Sequence, residues 1–321
     1  MKKCYAVGEF LSDRNKEEMK RTAEECGFVI GFFDCSEDAD GKVSDAEVFY
    51  GNEPALLAQM PQLRWCHTPY AGIGGLVQSG LFDSGEIALS NSSGAYGLTI
   101  GEHIIMVSLM LMRQMPEYNK VLGRHGWVQE YPIRSIAGSH VAIIGTGDIG
   151  RNAAARYRVL GASKIIGFNR SGRDVDVFDE VYKLESFDDV VGNEDIDILL
   201  LCVPGTPKSK GILDADRIAK FDEKTFVINV GRGSAIDQDA LVSALNGGRI
   251  AGAALDVTEP EPLPADHPLW TARNCIITPH ISGDMGLEYT VDKTVEFFCE
   301  NLKRYSQGKE LINVVDIKAG Y

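Results

Sequence analysis

The chain has 321 residues, of which 44% are hydrophobic and 24% charged, which is typical of a globular protein long enough for two domains. Acidic residues outnumber basic ones by 46 to 32, and the net charge of −14 argues against nucleic acid or an anionic membrane as a partner. The seven cysteines form no CxxC pair, which argues against a metal site and a disulfide framework. No apolar run approaches the roughly 20 residues of a membrane span, and the N-terminus has no signal-peptide pattern, so we expect a cytoplasmic protein.

The first 100 residues alternate short apolar runs with helical patterns, at 5–7, 16–26, 28–33, 46–50 and 55–60. Strands that alternate with helices of this length predict a parallel α/β sheet. This sheet precedes the glycine motif described below and excludes it, so the pattern predicts a separate domain.

Two glycine-rich loops in this region, residues 70–75 and 91–97, each follow a strand-like segment. Loops at the carboxyl ends of parallel strands are where α/β folds bind ligands, and exposed backbone N–H groups there can hold a carboxylate. A plain turn is the alternative, and for either loop taken alone the sequence favours the turn.

Residues 101–118 are mostly apolar and predict one long helix, buried nearly all round, between the domains. A polar and aromatic connection follows at 123–128, and it contains Trp127, whose place in core, interface or pocket the sequence leaves open. The helix is apolar over more of its circumference than one domain contact requires. We therefore predict a homodimer built on residues 101 to about 140.

An apolar run at 141–144 predicts a buried parallel strand, and three glycines spaced as G-x-G-x-x-G follow it. Gly145 allows the tight turn, Gly147 lets the backbone approach a pyrophosphate, and Gly150 lets the next helix pack closely on the strand. That helix and a second strand, 164–168, complete a βαβ unit, so the motif predicts a dinucleotide site in preference to a plain glycine-rich turn. The predicted cofactor-binding residues of this turn are Gly145, Thr146, Gly147, Asp148, Ile149 and Gly150.

The end of the second strand bears on which cofactor binds. NAD-binding units usually carry an acid there, which binds the ribose 2′-hydroxyl. Here Asn169, Arg170 and Ser171 stand at that place, and the first acids come later, at Asp174 and Asp176. A 2′-phosphate would meet the arginine and the serine without repulsion, which predicts NADPH (NADP) over NADH. The alternative is an exposed arginine with NAD bound.

Four more strand-like segments follow, at 196–204, 226–233, 250–257 and 275–280. Helical or loop segments separate them, which predicts a doubly wound sheet with its function at the carboxyl ends of the strands. Val203 and Pro204, at the end of the first of these segments, are further predicted cofactor contacts. The last segment, 287–307, predicts an amphipathic helix that returns to the first domain.

Ordered motifs stand at several of these strand ends. They are Asn229-Val-Gly-Arg-Gly233, Ala254-Leu-Asp-Val-Thr-Glu-Pro-Glu-Pro-Leu263, Asp266-His-Pro-Leu-Trp270 and Thr278-Pro-His-Ile-Ser-Gly283, beside the glycine motif and Gly101-Glu-His103. Together they resemble the D-isomer-specific 2-hydroxyacid dehydrogenase family, which includes glyoxylate/hydroxypyruvate reductases and phosphoglycerate dehydrogenases, over almost the whole chain. The resemblance implies two doubly wound parallel-sheet α/β domains. A Rossmann cofactor domain, 101–284, is then inserted in a flavodoxin-like substrate domain, 1–100 and 285–321.

The resemblance implies that Arg232 binds the substrate and that His280, with Glu261 beside it, is the acid–base residue. Reduction of a 2-oxo acid needs a hydride, a proton for the carbonyl oxygen and a cation for the carboxylate. Guanidinium can donate two parallel bonds to one carboxylate, and imidazole exchanges protons near neutral pH, where a glutamate favours its charged form. Singly, each residue has an ordinary alternative as a surface charge, a solvated loop residue or a strand-end hydrogen bonder.

The resemblance further implies that Asp256 holds the nicotinamide carboxamide and that backbone N–H groups of Gly72 and Ile73 bind the substrate carboxylate. We therefore predict an oxidoreductase that converts a small 2-oxo acid to a D-2-hydroxy acid with NADPH or NADH, and that binds no metal. Two alternatives stay open. One is a cofactor-sensing interaction protein of corepressor type, for which the chain has almost no extra sequence, and the other is a same-fold dehydrogenase for another substrate such as formate or phosphite.

Overall fold

A computed structural model describes residues Lys2 to Lys318, and their contacts group into two units. One unit contains the described residues up to Tyr96 and from Met285 onward, and the other is Gly97–Asp284. The strands are β1 (Lys2–Val7), β2 (Phe28–Phe33), β3 (Ala46–Tyr50), β4 (Trp65–Thr68), β5 (Ala88–Asn91), β6 (His140–Ile144), β7 (Lys164–Asn169), β8 (Glu180–Lys183), β9 (Ile198–Leu201), β10 (Phe226–Asn229), β11 (Gly252–Leu255) and β12 (Cys275–Ile277). The α-helices are α1 (Asp13–Glu25), α2 (Ser36–Ala39), α3 (Pro54–Leu57), α4 (Gly74–Gln78), α5 (Gly97–Met112), α6 (Met115–Leu122), α7 (Asp148–Val159), α8 (Phe187–Val191), α9 (Ala215–Ile218), α10 (Gln238–Asn246) and α11 (Glu288–Ser306).

The first unit is built on a parallel sheet with the strand order β2-β1-β3-β4-β5. This is the flavodoxin-like order of doubly wound folds. Helix α11 comes from the far end of the chain and packs beside α1, and its Val295 and Phe298 are buried against Trp65 of the sheet. Residues more than 200 positions apart in the sequence therefore share one core.

The second unit contains a parallel sheet with the strand order β12-β11-β10-β9-β6-β7-β8. Read from β8, the order 3-2-1-4-5-6-7 extends the Rossmann arrangement, and it reverses between β6 and β9. Residues Ile198–Leu201 of β9 are fully buried, as a continuous apolar run in a sheet covered on both faces predicts. The predicted fold class, two doubly wound parallel-sheet domains, is confirmed.

The strand register of the second unit aligns the carboxyl ends of its central strands. Ile144 of β6 lies opposite Leu201 of β9, which lies opposite Asn229 of β10. Asn229 in turn lies opposite Leu255 of β11, which lies opposite Ile277 of β12. The segments that follow these strands therefore leave the sheet along one edge, and all the motifs at its strand ends lie there.

The prediction of one helix over 101–118 is wrong. Helix α5 begins earlier, at Gly97, and ends at Met112, and α6 begins at Met115. Gln114 between them adopts a left-handed backbone with φ 56°, and Pro116 lacks the N–H that would continue the helical hydrogen bonds. Nor is α5 buried all round, since Met106 is 47% exposed.

Within residues 2–318, no helix is long and apolar enough to cross a membrane. The same residues contain no group of three or more His, Cys, Asp or Glu side chains arranged to hold a metal ion. Each of the cysteines is a free thiol, and those at 4, 66 and 299 are buried in the first unit.

Candidate active site

The turn after β6 is shaped by two glycines that no other residue could replace without a shift of the backbone. Gly145 has φ 107°, and a Cβ on it would lie 2.8 Å from the carbonyl oxygen of Cys202. A Cβ on Gly150 would lie 1.9 Å from the carbonyl oxygen of Gly145. Helix α7 therefore packs against the turn more closely than any side chain would permit.

Gly147 precedes α7, and a Cβ built on it meets nothing within 4 Å. The start of this 12-residue helix thus faces open space with its unpaired backbone N–H groups and the positive end of its dipole. A pyrophosphate suits that arrangement. The carboxylate of Asp148 accepts a bond from Asn152 Nδ2 at 3.0 Å and lies beside the backbone of Gly97, so only the N–H of Asp148 is available to a phosphate.

The loop after β7 is organised by Asn169. Its Oδ1 accepts bonds from the backbone N–H groups of Ser171 at 3.0 Å and Gly172 at 2.6 Å. Its Nδ2 donates to Thr146 Oγ1 of the glycine turn at 3.0 Å. The structure therefore joins the two segments predicted to bind the cofactor and leaves Arg170 and Ser171 exposed next to them.

The ends of β9 and β10 are also in close contact. A Cβ on Gly231 would lie 2.6 Å from the carbonyl oxygen of Val203, so the glycine permits this approach. Val203 is partly buried and Pro204 is exposed, and Ser209 Oγ donates a hydrogen bond to the Pro204 carbonyl. Both predicted cofactor contacts thus lie on the edge where the strand order reverses.

His280 and Glu261 form the predicted pair, with 2.8 Å between His280 Nδ1 and Glu261 Oε2. The other carboxylate oxygen of Glu261 accepts a bond from the backbone N–H of Thr258 at 3.0 Å. Because a carboxylate only accepts hydrogen bonds, the Nδ1 atom carries the proton and Nε2 remains for a reacting group. About half of the His280 side chain is exposed to solvent, so its outer nitrogen is accessible.

Asp256 holds the segment that carries His280. The buried carboxylate accepts bonds from Thr278 Oγ1 at 2.6 Å and from the backbone N–H groups of Ile281 at 2.9 Å and Ser282 at 3.0 Å. Burial raises the pKa of Asp256, but these hydrogen bonds outweigh it and hold the pKa below its usual range. The His280 N–H also donates to the Asp256 carbonyl at 2.9 Å, and His280 has a left-handed φ of 55°. A contact with the nicotinamide carboxamide stays a prediction and would add to these bonds.

Arg232 follows β10, and Asn229 shapes its turn. Asn229 Oδ1 accepts from the Gly231 N–H at 3.0 Å, and its Nδ2 donates to the Arg232 carbonyl at 2.9 Å. A Cβ on Gly233 would lie 2.0 Å from the carbonyl carbon of Thr258, so the arginine segment packs directly on the segment that leads to Glu261. The structure thus brings the segments that carry Arg232, Glu261 and His280 together.

Gly72 and Ile73 lie in the other unit, in the loop between β4 and α4. Ile73 is buried, whereas Gly72 is partly exposed. Three aromatic side chains differ in exposure: Tyr96 is buried, Tyr70 is 38% exposed and Trp127 is 85% exposed.

Two residues near the acid–base pair were missed in the sequence. Gln238 of α10 exchanges two hydrogen bonds with the backbone of Glu259, at 2.5 and 3.1 Å. His103 Nε2 lies 3.4 Å from Thr278 Oγ1, the hydroxyl that donates to Asp256. The Gly101-Glu-His103 motif was the only signal for His103, and nothing local in the sequence indicates the contact of Gln238.

The Rossmann strand order, the glycine turn and the acid–base pair at one edge define an oxidoreductase that uses a nicotinamide dinucleotide. The family model of the D-isomer specific 2-hydroxyacid dehydrogenase NAD-binding domain matches residues 105–282. The chain belongs to the D-isomer specific 2-hydroxyacid dehydrogenase family, so the predicted family and enzyme class are confirmed.

Individual relatives align with most of the chain. An uncharacterized protein in the proB 3′ region of Corynebacterium melassecola is 32% identical over 291 residues, which cover 88% of this chain and 91% of that protein. Glyoxylate/hydroxypyruvate reductase A of Photorhabdus laumondii is 27% identical, with coverage of 88% and 89%. The crystal structure of a D-isomer specific 2-hydroxyacid dehydrogenase family protein from Aeromonas salmonicida has a TM-score of 0.83 at 31% identity and covers 98% of this chain and 99% of that one.

Proposed function

We propose that this protein reduces a small 2-oxo acid to the D-2-hydroxy acid, with NADPH in preference to NADH. The observation that carries the proposal is the 2.8 Å contact between His280 and Glu261, on a strand edge that also bears Arg232. The relative from Photorhabdus laumondii, named a glyoxylate/hydroxypyruvate reductase, supports this class of substrate.

The residues at the start of α7 fit the cofactor, because Gly147 leaves room and the helix offers N–H groups. In our assignment the turn Gly145–Gly150 holds the pyrophosphate, Asn169, Arg170 and Ser171 hold the ribose 2′-phosphate, and Val203 and Pro204 line the remaining edge. The bound cofactor supplies the hydride.

The protein's own residues would supply the rest of the reaction. The guanidinium of Arg232 binds the substrate carboxylate and stabilises the negative charge that develops on the carbonyl oxygen. His280 donates a proton from Nε2 to that oxygen, while Glu261 stabilises the imidazolium and fixes its tautomer. Backbone N–H groups of Gly72 and Ile73 are assigned to the substrate carboxylate, as the resemblance implies.

The reaction is tested with a panel of glyoxylate, hydroxypyruvate, pyruvate and longer 2-oxo acids. General acid catalysis typically contributes about 10²–10⁴-fold, so His280→Ala should lose about that factor in kcat. Arg232→Ala should raise KM and lower kcat, because the guanidinium charge binds the substrate in the ground state and also stabilises the transition state. Near-full reductase activity of His280→Ala on every acid would contradict the assignment.

The cofactor preference is tested by kcat/KM with NADPH and NADH. Arg170→Ala should lower kcat/KM for NADPH about tenfold or more, because a charge-assisted bond to the 2′-phosphate is lost, and leave NADH nearly unchanged. Arg249→Ala, another exposed arginine of the same unit, is the control. Equal use of both cofactors by the wild type would exclude the preference.

Domain roles and assembly are part of the same proposal. We assign residues 1–100 and 285–321 to the substrate domain, 101–284 to the cofactor domain, and a homodimer to the segment 101–140. The exposure of Leu122 (51%), Trp127 (85%) and Ile133 (61%) supports an apolar contact surface there. Sedimentation at micromolar concentration should give twice the mass of one chain, whereas a single-chain mass would rule the dimer out. The cytoplasmic location stays a prediction.

A further inference from the structure

Four consecutive backbone carbonyls of residues 68–73, the last residue of β4 and the loop that follows it (loop 68–73), accept hydrogen bonds from one other segment, residues 91–96. The strand ends explain the proximity, because Thr68 of β4 lies opposite Asn91 of β5. The four bonds run from Ser92 Oγ to Thr68 O at 3.1 Å, from Tyr96 Oη to Pro69 O at 2.7 Å, from Ser92 N to Tyr70 O at 3.2 Å and from Asn91 Nδ2 to Ala71 O at 3.0 Å.

These bonds determine where the N–H groups of the loop point. In a planar trans peptide the C=O and the N–H point in opposite directions. Within residues 2–318 the cis peptide bonds precede Pro260 and Pro262, so this loop is trans. The carbonyls of Tyr70 and Ala71 face segment 91–96, and hence the N–H groups of Ala71 and Gly72 point away from it. Within residues 2–318, neither N–H donates a hydrogen bond to a backbone carbonyl.

Segment 91–96 is held in place by a network of its own. The N–H of Asn91 donates to the Asn313 carbonyl at 3.1 Å, and Asn313 Nδ2 donates to the Ser93 carbonyl at 2.8 Å. Asn91 Oδ1 accepts the Ser93 N–H at 3.2 Å, so the side chain that reaches Ala71 is fixed at both ends. Segment 91–96 is therefore tied by hydrogen bonds both to the loop and to Asn313.

The hydroxyl of Ser92 is directed by buried His67. Burial lowers the pKa of His67 to about 3, so the ring is neutral near pH 7. The one hydroxyl proton of Ser92 is donated to the Thr68 carbonyl, and Ser92 Oγ therefore accepts the Nε2–H of His67 at 3.1 Å. Nδ1 of the ring then accepts from Ser90 Oγ at 2.7 Å. A chain of bonds with defined directions thus runs from the core of the unit to the start of the loop.

We propose that segment 91–96 is a positioning element for substrate binding, with Tyr96, Asn91 and Ser92 as its positioning residues. It holds the carbonyls of the loop to one side, so that the N–H groups of Ala71 and Gly72 are oriented in advance toward the substrate carboxylate. Donors that are already oriented cost no reorganisation when an anion binds. The inference rests on the proposed function and adds Ala71 to the donors assigned above.

The test compares two tyrosines that each lose one hydroxyl. Tyr96→Phe removes the bond to Pro69, while Tyr5→Phe removes a 2.8 Å bond to Asp45, which is in the same unit but belongs neither to the loop nor to segment 91–96. A neutral hydrogen bond is worth roughly 0.5–1.5 kcal/mol, so Tyr96→Phe should raise KM for the best 2-oxo acid about two- to tenfold. The kcat of Tyr96→Phe and its NADPH Kd should change less than about twofold, and Tyr5→Phe should leave all three constants near wild type.

Ser92→Ala is the second variant, because it loses the bond to Thr68 without any change at Tyr96. Circular dichroism and thermal melting establish that each variant is folded. An unchanged KM in folded Tyr96→Phe and Ser92→Ala, or an equal rise in Tyr5→Phe, would overturn the positioning role while the wild type remains an active reductase. A wild type inert toward every 2-oxo acid would overturn the proposed function and this inference together.

Discussion

Two backbone turns follow buried parallel strands, and they obtain their shape by opposite means. The turn 145–150 owes its shape to the absence of side chains, since Cβ atoms on Gly145 and Gly150 would collide with backbone oxygens. The loop 68–73 owes its shape to the presence of side chains, which come from segment 91–96. The first turn depends on close backbone contacts, with Gly145 itself at Gly150 and with Cys202 after β9 at Gly145, whereas the second depends on side-chain bonds made only after β4 and β5 have paired.

Because the two turns are shaped in different ways, substitutions in them should have different effects. A new side chain at Gly145 or Gly150 adds strain to the folded state, so it should reduce stability and cofactor affinity together. The loss of one donor from segment 91–96 removes orientation but adds no collision, so it should act mainly on the substrate KM.

The largest effect is expected for Gly150→Ala. Its Cβ would lie 1.9 Å from the Gly145 carbonyl oxygen, and overpacking of a rigid backbone costs about 3 kcal/mol or more. Urea unfolding should show a loss of that size in the free energy of unfolding, with NADPH Kd raised at least about a hundredfold. Gly147→Ala is the matched control, because its Cβ meets nothing within 4 Å.

Gly147→Ala should keep its stability within about 0.5 kcal/mol of the wild type. The new methyl group would occupy space in front of α7, so NADPH Kd should still rise about tenfold, or about 1.4 kcal/mol. Equal unfolding free energies of the two alanine variants would contradict the steric account of this turn.

A smaller effect is expected for Asn91→Asp. The substitution keeps the acceptor for the Ser93 N–H but replaces the donor to the Ala71 carbonyl by a negative oxygen. We expect the substrate KM to rise about tenfold at unchanged NADPH Kd, since a lost bond and an added repulsion act together. Asn246→Asp adds the same charge in the other unit and should leave KM unchanged. A similar KM in both variants would count against an orienting role for Asn91.

The segment before Glu261 is shaped both by a glycine contact and by side-chain hydrogen bonds. A substitution that removes only the hydrogen bonds should have the smallest effect. Gly233 permits its close packing, and Gln238 holds the backbone of Glu259 by two hydrogen bonds. Gln238→Ala should lower kcat about two- to fivefold, because Glu261 keeps its bond from Thr258 and loses only part of its support.

The control for this variant is Gln59→Ala. Gln59 likewise bridges two segments, through bonds to Gly41 and Asp40, but it lies in the other unit. Gln59→Ala should therefore leave kcat unchanged. A kcat for Gln238→Ala that equals the wild-type value would exclude a role for this side chain in supporting Glu261.

The contrast between the glycine turn and the loop held by segment 91–96 also explains which features could be predicted from the sequence. Glycine spacing and continuous apolar runs are local, and they predicted the turn at Gly145–Gly150 and the doubly wound sheets. The helix over 101–118 was predicted wrongly because periodicity does not register the left-handed Gln114. The bonds of Asp256 to residues 278–282, and those of segment 91–96 to the loop, depend on which strand ends become neighbours. No local pattern encodes that.

The reliance of the loop on Asn313 has a consequence for the growing polypeptide. Ribosomal synthesis releases residues 97–284, a contiguous unit, before α11 and the strand-like residues near 314 emerge. Until then the face of the first sheet that receives Phe298 is uncovered, and Asn91 lacks its bond to the Asn313 carbonyl. A nascent chain can therefore complete its glycine turn well before it completes loop 68–73, and truncated chains arrested before residue 288 should acquire dinucleotide binding first.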